Sequence, residues 1–350
     1  PLGLGHVGAR SGVERTMARA GLRASALAAC AAAAALLAGP RGSLALNRLL
    51  LERHELLPGA CGGRRAVLPL ADPRASHVAR VLRLQDGDTV RVGVLDGGID
   101  DAAAVRWLWP DGREDDGGRW SGRASQEQRP ERLRQETLHQ ALELEEHLPQ
   151  ALELTFDEGA QNGIPPPRVD LLLASPEPAR LQRLLPMLTQ LGLGTVVLCT
   201  VARVGARGGL GAHWLRSSEA VRELLVPGLA QSGDVRVPRV VVGGRLRPLL
   251  QRGDLESALQ ASGARAARLY VSPRGPRFCE LPATAAPQGG RLLVAVGPDG
   301  GWRDPEETEM LSEAGFLPVS TGPRCFNVEV AACTALALSS GAIRRWDDAR

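Results

Sequence analysis

The chain has 350 residues, 44% of them hydrophobic and 23% charged, which is the composition of a soluble globular protein and enough for two ordinary domains. Aromatic residues make up only 3%, which argues against a nucleic-acid reader built mainly on stacking platforms. Net charge is +3, and the first 46 residues carry +4 of it through five Arg against one Glu, so residues 47–350 stand at −1 and any polyanion contact must come from local patches.

All 42 basic residues are Arg, a bias that a GC-rich genome produces and that also supplies planar forks for phosphate. Cys30, Cys61, Cys199, Cys279, Cys325 and Cys333 form no CxxC and no Cys/His ligand spacing. They read as reduced, mostly core thiols in a reducing compartment, and no metal site is expected.

Residues 1–45 read as a targeting segment. Arg15, Arg19 and Arg23 precede Ala24–Ala38, a run of Ala and Leu broken only by Ser25 and Cys30, and Gly39-Pro40 follows. This suits either a signal-like apolar region or an organellar presequence for a plastid or mitochondrion, with Met17 a candidate start. A membrane anchor is the rival, but the apolar run falls short of the roughly 20 residues that span a bilayer. Once this segment is removed no membrane contact is expected; without such delivery the chain would be cytoplasmic.

From residue 46 short strands and turns begin. Val67–Leu70 is a predicted strand, and Asp72-Pro73 opens a helix to about Arg83 with N-cap and N1 chemistry. Val78, Val81 and Leu82 are expected to face its core; Arg74, His77 and Arg80 recur at spacing three on the opposite face. Such a face could touch phosphates or be an ordinary solvated surface. Asp86-Gly87-Asp88 turns into the strand Thr89–Leu95, Asp96-Gly97-Gly98 makes a hairpin, and Ala102–Trp109 pairs back. Residues 111–149, rich in Arg, Glu, Gln and Gly, read as an insertion with an exposed helix over Pro130–His147. Ala151–Phe156 is the last strand of a domain spanning 46–163, and Pro165-Pro166-Pro167 stiffens the joint to the next.

The second domain, 168–346, opens with the apolar strand Val169–Ala174, the helix Ala179–Leu191 and the buried strand Thr195–Val201. That βαβ unit marks an α/β domain with a mainly parallel sheet. A helix at Ser217–Gln231 and strands at Arg239–Val242, Arg268–Ser272 and Leu292–Val296 continue the pattern. Two loops then carry the chemistry. Gly297-Pro298-Asp299-Gly300-Gly301-Trp302 follows the last of these strands, and Asp304 with Glu307 makes a capping box for a helix. Glycine-rich turns at the carboxyl ends of parallel strands are where open α/β sheets bind ligands, although this one could equally be a tight connection. The second loop, Thr321-Gly322-Pro323-Arg324-Cys325-Phe326-Asn327, follows strand Phe316–Ser320 and leads into helix Val328–Ser340 with Asn327 as N-cap. Glu329 in its first turn either serves chemistry or only complements the helix dipole.

These residues resemble a family. Leu292 to Trp302 is similar to the "iGPEGG(F/W)" signature of the 16S rRNA uracil-N3 methyltransferases, the RsmE family of the SPOUT superfamily. Gly315-Phe316 with Thr321-Gly322-Pro323-Arg324 resembles its "Gf…vsLGpRiLRtETA" segment, with Glu329 on the family Glu. Arg180 to Leu193, Ala230 to Asp234, and His77 to Leu84 with Gly87-Asp88 match three further family stretches. The resemblance covers about residues 46–345 and implies a SPOUT-type, trefoil-knotted Rossmann-like domain preceded by a small PUA-like β-barrel that binds RNA. It implies S-adenosyl-L-methionine as cofactor and methyl transfer to a uridine N3 of small-subunit ribosomal RNA, free or in a 30S-type particle, by a homodimer.

Carried onto this sequence, the resemblance places cofactor contacts at Thr200, Gly297, Pro298, Asp299, Gly300, Gly301, Ser320, Thr321, Gly322, Cys325 and Phe326. It makes Arg324 the electrophilic and Glu329 the acid/base candidate, and Arg74, His77, Arg80 and Arg83 the RNA contacts. The chain departs from the family where "LRTETA" becomes Phe326-Asn327-Val328-Glu329-Val330-Ala331, losing an Arg and both Thr, where Asp299 replaces Glu, and where Gln190 replaces Glu. Two rival readings follow: a catalytically degenerate assembly factor that binds ribosomal RNA, or a methyltransferase acting on another RNA.

Overall fold

The computed structural model describes residues 48–59, 62–110, 149–157, 164–202, 209–259, 266–282 and 290–348. The expected targeting segment lies outside them, as does the 111–149 insertion with its helix, but for residue 149.

The strands form two six-stranded sheets. The first runs in the order β1 (Leu49–Leu51), β4 (Thr89–Val94), β5 (Ile99–Leu108), β6 (Ala151–Phe156), β3 (Arg64–Pro69) and β2 (Leu57–Pro58). It is antiparallel except where β1 lies parallel to β4. Alternation sets its core: Val105 and Trp107 of β5 are buried, with Leu152 and Leu154 of β6 and Leu68 of β3. Trp107 donates its indole N–H to Leu84 O at 3.0 Å, so the ring is buried with its polar handle satisfied.

The predicted helix over 73–83 is shorter and of mixed type. The α-helix α1 covers Pro73–His77, with Asp72 accepting from Arg74 N at 2.8 Å as N-cap, and one π-helical turn over Val78–Leu82 ends at Arg83 with φ +55°. A π turn rotates the side chains away from a 3.6-residue register. Val78 and Ala79 are buried, and Val81, expected in the core, is 64% exposed.

The second sheet is wholly parallel, in the order β12 (Leu317–Val319), β10 (Ala266–Val271), β11 (Arg291–Val296), β7 (Val169–Ala174), β8 (Leu193–Thr200) and β9 (Arg239–Arg245). Every residue of β7 is buried. Leu171 and Leu173 enter one core, under α2 (Pro178–Gln190), α3 (Ser218–Ser232) and α7 (Val328–Asp348). Leu172 and Ala174 enter the opposite core, under α4 (Leu246–Gln251), α5 (Asp254–Leu259) and α6 (Glu306–Glu313). A sheet covered on both faces requires such continuous apolar strands.

In α2 the Leu181, Leu184, Leu185 and Leu188 stripe is fully buried, each side chain contributing about 2 kcal/mol by area. Gly192, at φ +82°, ends the helical turn as expected. Helix α3 can lie close on α2 because Gly228 has no side chain: a Cβ there would sit 2.3 Å from Pro186 O. Helix α6 starts later than the expected capping box, at Glu306. Glu307 accepts from Arg303 N at 2.7 Å, while Asp304 accepts from the Thr308 hydroxyl. The short elements β1, β2, α4 and α5 were not predicted.

The sheets meet where the β4–β5 hairpin docks on α3. Leu50, Leu95, Leu229 and Val235 form a small shared core. Arg48, only 2% exposed, donates to Gly233 O at 3.1 Å, Val92 O at 2.9 Å and Asp101 Oδ1 at 2.6 Å. Arg222 adds a fork to Glu52, and Val237 N donates to Asp96 Oδ1. The stretch Ala230–Asp234, matched to the family by sequence, lies in this seam.

Candidate functional site

In strand order the parallel sheet reverses direction between β7 and β11: the chain builds outward from β7 through β8 to β9, then crosses to β10 and returns to β11 beside β7. The carboxyl ends of strands flanking such a reversal form a natural crevice. Both predicted loops open at this carboxyl end of the sheet, the first beside the reversal and the second two strands away. The first, 297–302, leaves β11; the second, 320–327, leaves β12.

The first loop is tightly folded. Gly301 N donates to Pro298 O at 2.8 Å, and Gly300 and Gly301 take φ +86° and +75°, where any side chain is strained. A Cβ on Gly297 would lie 3.0 Å from the carbonyl carbon of Gly301 and from Trp302 N. At Gly301, in contrast, an added Cβ would meet nothing within 4 Å. Trp302 is buried against Phe316 and Leu311, and its indole Nε1 has no hydrogen-bond partner.

The second loop is turned by Ser320, whose hydroxyl accepts from Gly322 N at 3.1 Å. Gly322, at φ +122°, also has nothing within 4 Å of an added Cβ. Behind it a third loop, 272–277, is pressed in: Ser320 N donates to Pro276 O at 2.8 Å, and a Cβ on Gly275 would stand 2.5 Å from Val319 N. Asn327 caps α7 as expected, accepting from Val330 N at 3.0 Å.

The two loops are joined. Asp299 Oδ1 accepts from Val328 N at 3.0 Å, so a carboxylate of the first loop caps the helix that ends the second. Arg180, in the first turn of α2, donates through Nη1 to Asp299 Oδ2 and through Nε to Glu329 Oε1 at 2.7 Å, with Nη2 reaching Glu329 Oε2. Hydrogen bonding to Arg180 holds both carboxyls below the usual carboxylate range, against burial that works the other way. The same bonds raise the Arg180 guanidinium.

Of the predicted site residues, Gly297–Gly301, Ser320–Gly322, Cys325, Phe326, Arg324 and Glu329 therefore share one end of the sheet. Thr200 ends β8, two strands along from β11 on the side away from β10. Arg324 and Cys325 are exposed, and Arg324 has no side-chain partner among the described residues. Both oxygens of Glu329, the acid/base candidate, accept from Arg180, and these bonds favour its charged form.

Arg74 does not share the open face expected from spacing: it donates to Leu50 O, to both oxygens of Asp72 and to both of Glu55. His77 is half-buried, while Arg80 and Arg83 are exposed. The thiols also differ from a mostly core set: among those described, Cys199 is buried, Cys333 half-buried, and Cys279 and Cys325 exposed. Burial chiefly pushes the Cys199 thiol up to about 12, which keeps it inert. No group of three or more His, Cys, Asp or Glu that could hold a metal is found among the described residues. No helix among them is long and apolar enough to cross a membrane.

Arg180 was missed as a site residue. It lay within a stretch matched to the family, but an arginine near a helix start carries no local sign of two carboxylates over a hundred residues away.

Comparison with known proteins points the same way. A family profile described as an RNA methyltransferase domain matches residues 164–340. The "Ribosomal RNA small subunit methyltransferase E" of Treponema pallidum is 24% identical over 302 residues, covering 86% of this chain and 93% of the relative. The protein of the same name from Mycobacterium bovis is 29% identical over 186 residues, covering 53% of this chain and 68% of the relative. Among solved structures, that of a Neisseria gonorrhoeae ribosomal RNA small subunit methyltransferase E bound to S-adenosyl methionine superposes with a TM-score of 0.53 at 19% identity. That match covers 83% of this chain and 95% of the other, and at such identity it speaks for the fold.

Proposed function

The chain belongs to the RNA methyltransferase domain family, and from that premise we propose that it transfers a methyl group from S-adenosyl-L-methionine to N3 of a uridine in small-subunit ribosomal RNA. The observation that carries this reading is the joining of two glycine loops at the carboxyl ends of β11 and β12 through Asp299 and Val328 N. The residues present fit the cofactor. Gly301 and Gly322 leave open space where side chains would stand, and the Trp302 indole holds a buried donor without a partner. The backbone of 297–302 and 320–326 would hold the cofactor, with Thr200 at its edge. When bound, S-adenosyl-L-methionine supplies an electrophilic methyl on a sulfonium.

Uracil N3 carries a proton and is a weak nucleophile until that proton leaves. With Glu329 committed to Arg180, the group offered for the developing uracil anion is the exposed guanidinium of Arg324. N3 lies on the Watson–Crick edge, so the uridine must be unpaired or flipped to reach the loops. We take the first sheet as a PUA-like RNA-binding domain of residues 46–163, with Arg80 and Arg83 as its phosphate contacts and His77 beside them. A homodimer is supported by the exposed Met187 of α2, Leu191 just after it, and Val330 and Leu338 of α7. Organellar delivery rests on the Arg-rich, acid-poor composition of residues 1–45.

The test is to incubate the purified protein with S-adenosyl-L-methionine and unmethylated small-subunit particles. A new reverse-transcription stop at one uridine is the expected result. The loss of the family Arg and Thr side chains around Asn327 favours a second reading, a degenerate assembly factor. Tight RNA binding with no methyl incorporation would select it, and incorporation into transfer RNA alone would change the substrate.

A further inference from the structure

We propose that Arg180 is a positioning residue for methyl transfer, one guanidinium that fastens both glycine loops to the end of β7 and so sets the spacing of the cofactor cradle. This rests on reading those loops as the cofactor site.

Three segments, distant in sequence, meet at this side chain. Arg180 stands in the first turn of α2, directly after the fully buried β7, so its own backbone is well anchored. Asp299 belongs to the loop after β11, the strand paired with β7. Glu329 belongs to the first turn of α7, next to the Val328 amide that Asp299 caps. The planar fork suits the task, because Nε and Nη2 can engage one carboxylate while Nη1 turns to the other. A lysine, as a point charge with no fixed fork, cannot reproduce both contacts.

Charge makes the arrangement sensitive to this one residue. With Arg180 present, two carboxylates share one cation. With it removed, Asp299 and Glu329 face each other uncompensated, and the same groups that close the loops push them apart. The side chain sits at the sheet end, half-buried, outside the two apolar cores that hold the sheet. Its loss should therefore disturb the loops far more than the fold.

The experiment compares the full chain with R180Q and R180K. Hydrogen exchange is followed in 297–302, in 321–328 and in the strands β7 and β11. Affinity for S-adenosylhomocysteine is measured by calorimetry, and kcat and KM are taken for donor and for RNA. For R180Q we expect faster exchange in both loops with the strands unchanged, at least tenfold weaker S-adenosylhomocysteine binding, and a raised donor KM with the RNA KM unmoved. R180K should fall between the two. Unchanged loop exchange in R180Q overturns the proposal, as do equal losses of donor and RNA affinity. Should R180Q fail to fold, R180K decides by the same two readouts. A wild-type chain without affinity for S-adenosylhomocysteine would defeat the cofactor reading instead, and loop exchange would still decide whether Arg180 joins the loops.

Discussion

Asp299 does two jobs for Val328: it accepts the Val328 N–H at 3.0 Å and places its negative charge at the positive end of a 21-residue helix. The two jobs can be separated by substitution. D299N keeps an acceptor for the amide but loses the ion pair with Arg180. Since Asp299 is about half exposed, the pair is screened, and D299N should lower stability by less than about 1 kcal/mol. D299A also orphans the amide and should cost about 1 kcal/mol more. Denaturant melts of the two variants check the order, and calorimetry should show weaker donor binding in both.

Gly297 is fixed by contact. A Cβ would stand 3.0 Å from Gly301 C and Trp302 N, so G297A must push the turn open against a buried indole. Overpacking of this kind costs about 1–3 kcal/mol. G297A should lower the melting temperature and abolish measurable binding of S-adenosylhomocysteine; tight binding by the variant would remove the first loop from the site.

Acid should reveal the Arg180 ion pairs. Asp299 and Glu329 titrate below the ordinary carboxylate range because Arg180 bonds their charged forms. A depressed folded pKa gives stability that is present above the unfolded value, about 4 for carboxylates, and is lost as pH falls through the folded value. The melting-temperature gap between wild type and R180Q should therefore stay constant from pH 8 to 5 and shrink below pH 4. A gap that persists at pH 3 would place the stabilisation elsewhere.

The opposite end of the sheet gives a contrast. Asp170 accepts from Thr195 N at 2.7 Å and from Arg291 Nε at 2.8 Å, and Gly194 lies so close that a Cβ would sit 2.2 Å from Arg291 Nη2. G194A should destabilise the chain by about 2 kcal/mol, as breaking into a buried charged network does, yet leave donor affinity unchanged. A fall in affinity without a fall in stability would contradict the separation of the two ends.

Much of the fold could be read from residues alone where burial is two-sided or a cap is explicit. Val169–Ala174 and Ala151–Phe156 match their predicted bounds, because an apolar run interrupted only by Asp170 and a clean alternation leave little choice. Asn327 and Gly192 announced a helix start and stop through their own chemistry. The departures have two causes. Val81 leaves the core through a local one, because the π turn over Val78–Leu82 breaks the 3.6-residue period that spacing rules rest on. Arg74 is turned by a distant partner, since Glu55 is brought near it by the fold and accepts from its guanidinium. The pairing of Glu329 with Arg180 is of the same kind, as it depends on β7 lying beside β11.

Arg48 carries a consequence for how the molecule comes apart. Its guanidinium is shared between Val92 O of the first sheet and Gly233 O at the end of α3, and the Leu50, Leu95, Leu229 and Val235 contacts beside it straddle the same seam. Pulling the sheets apart would break the Arg48 bond to Gly233 O and bare four aliphatic side chains at once. Heating should therefore melt both halves in a single cooperative transition, and the angle between them is built into the fold.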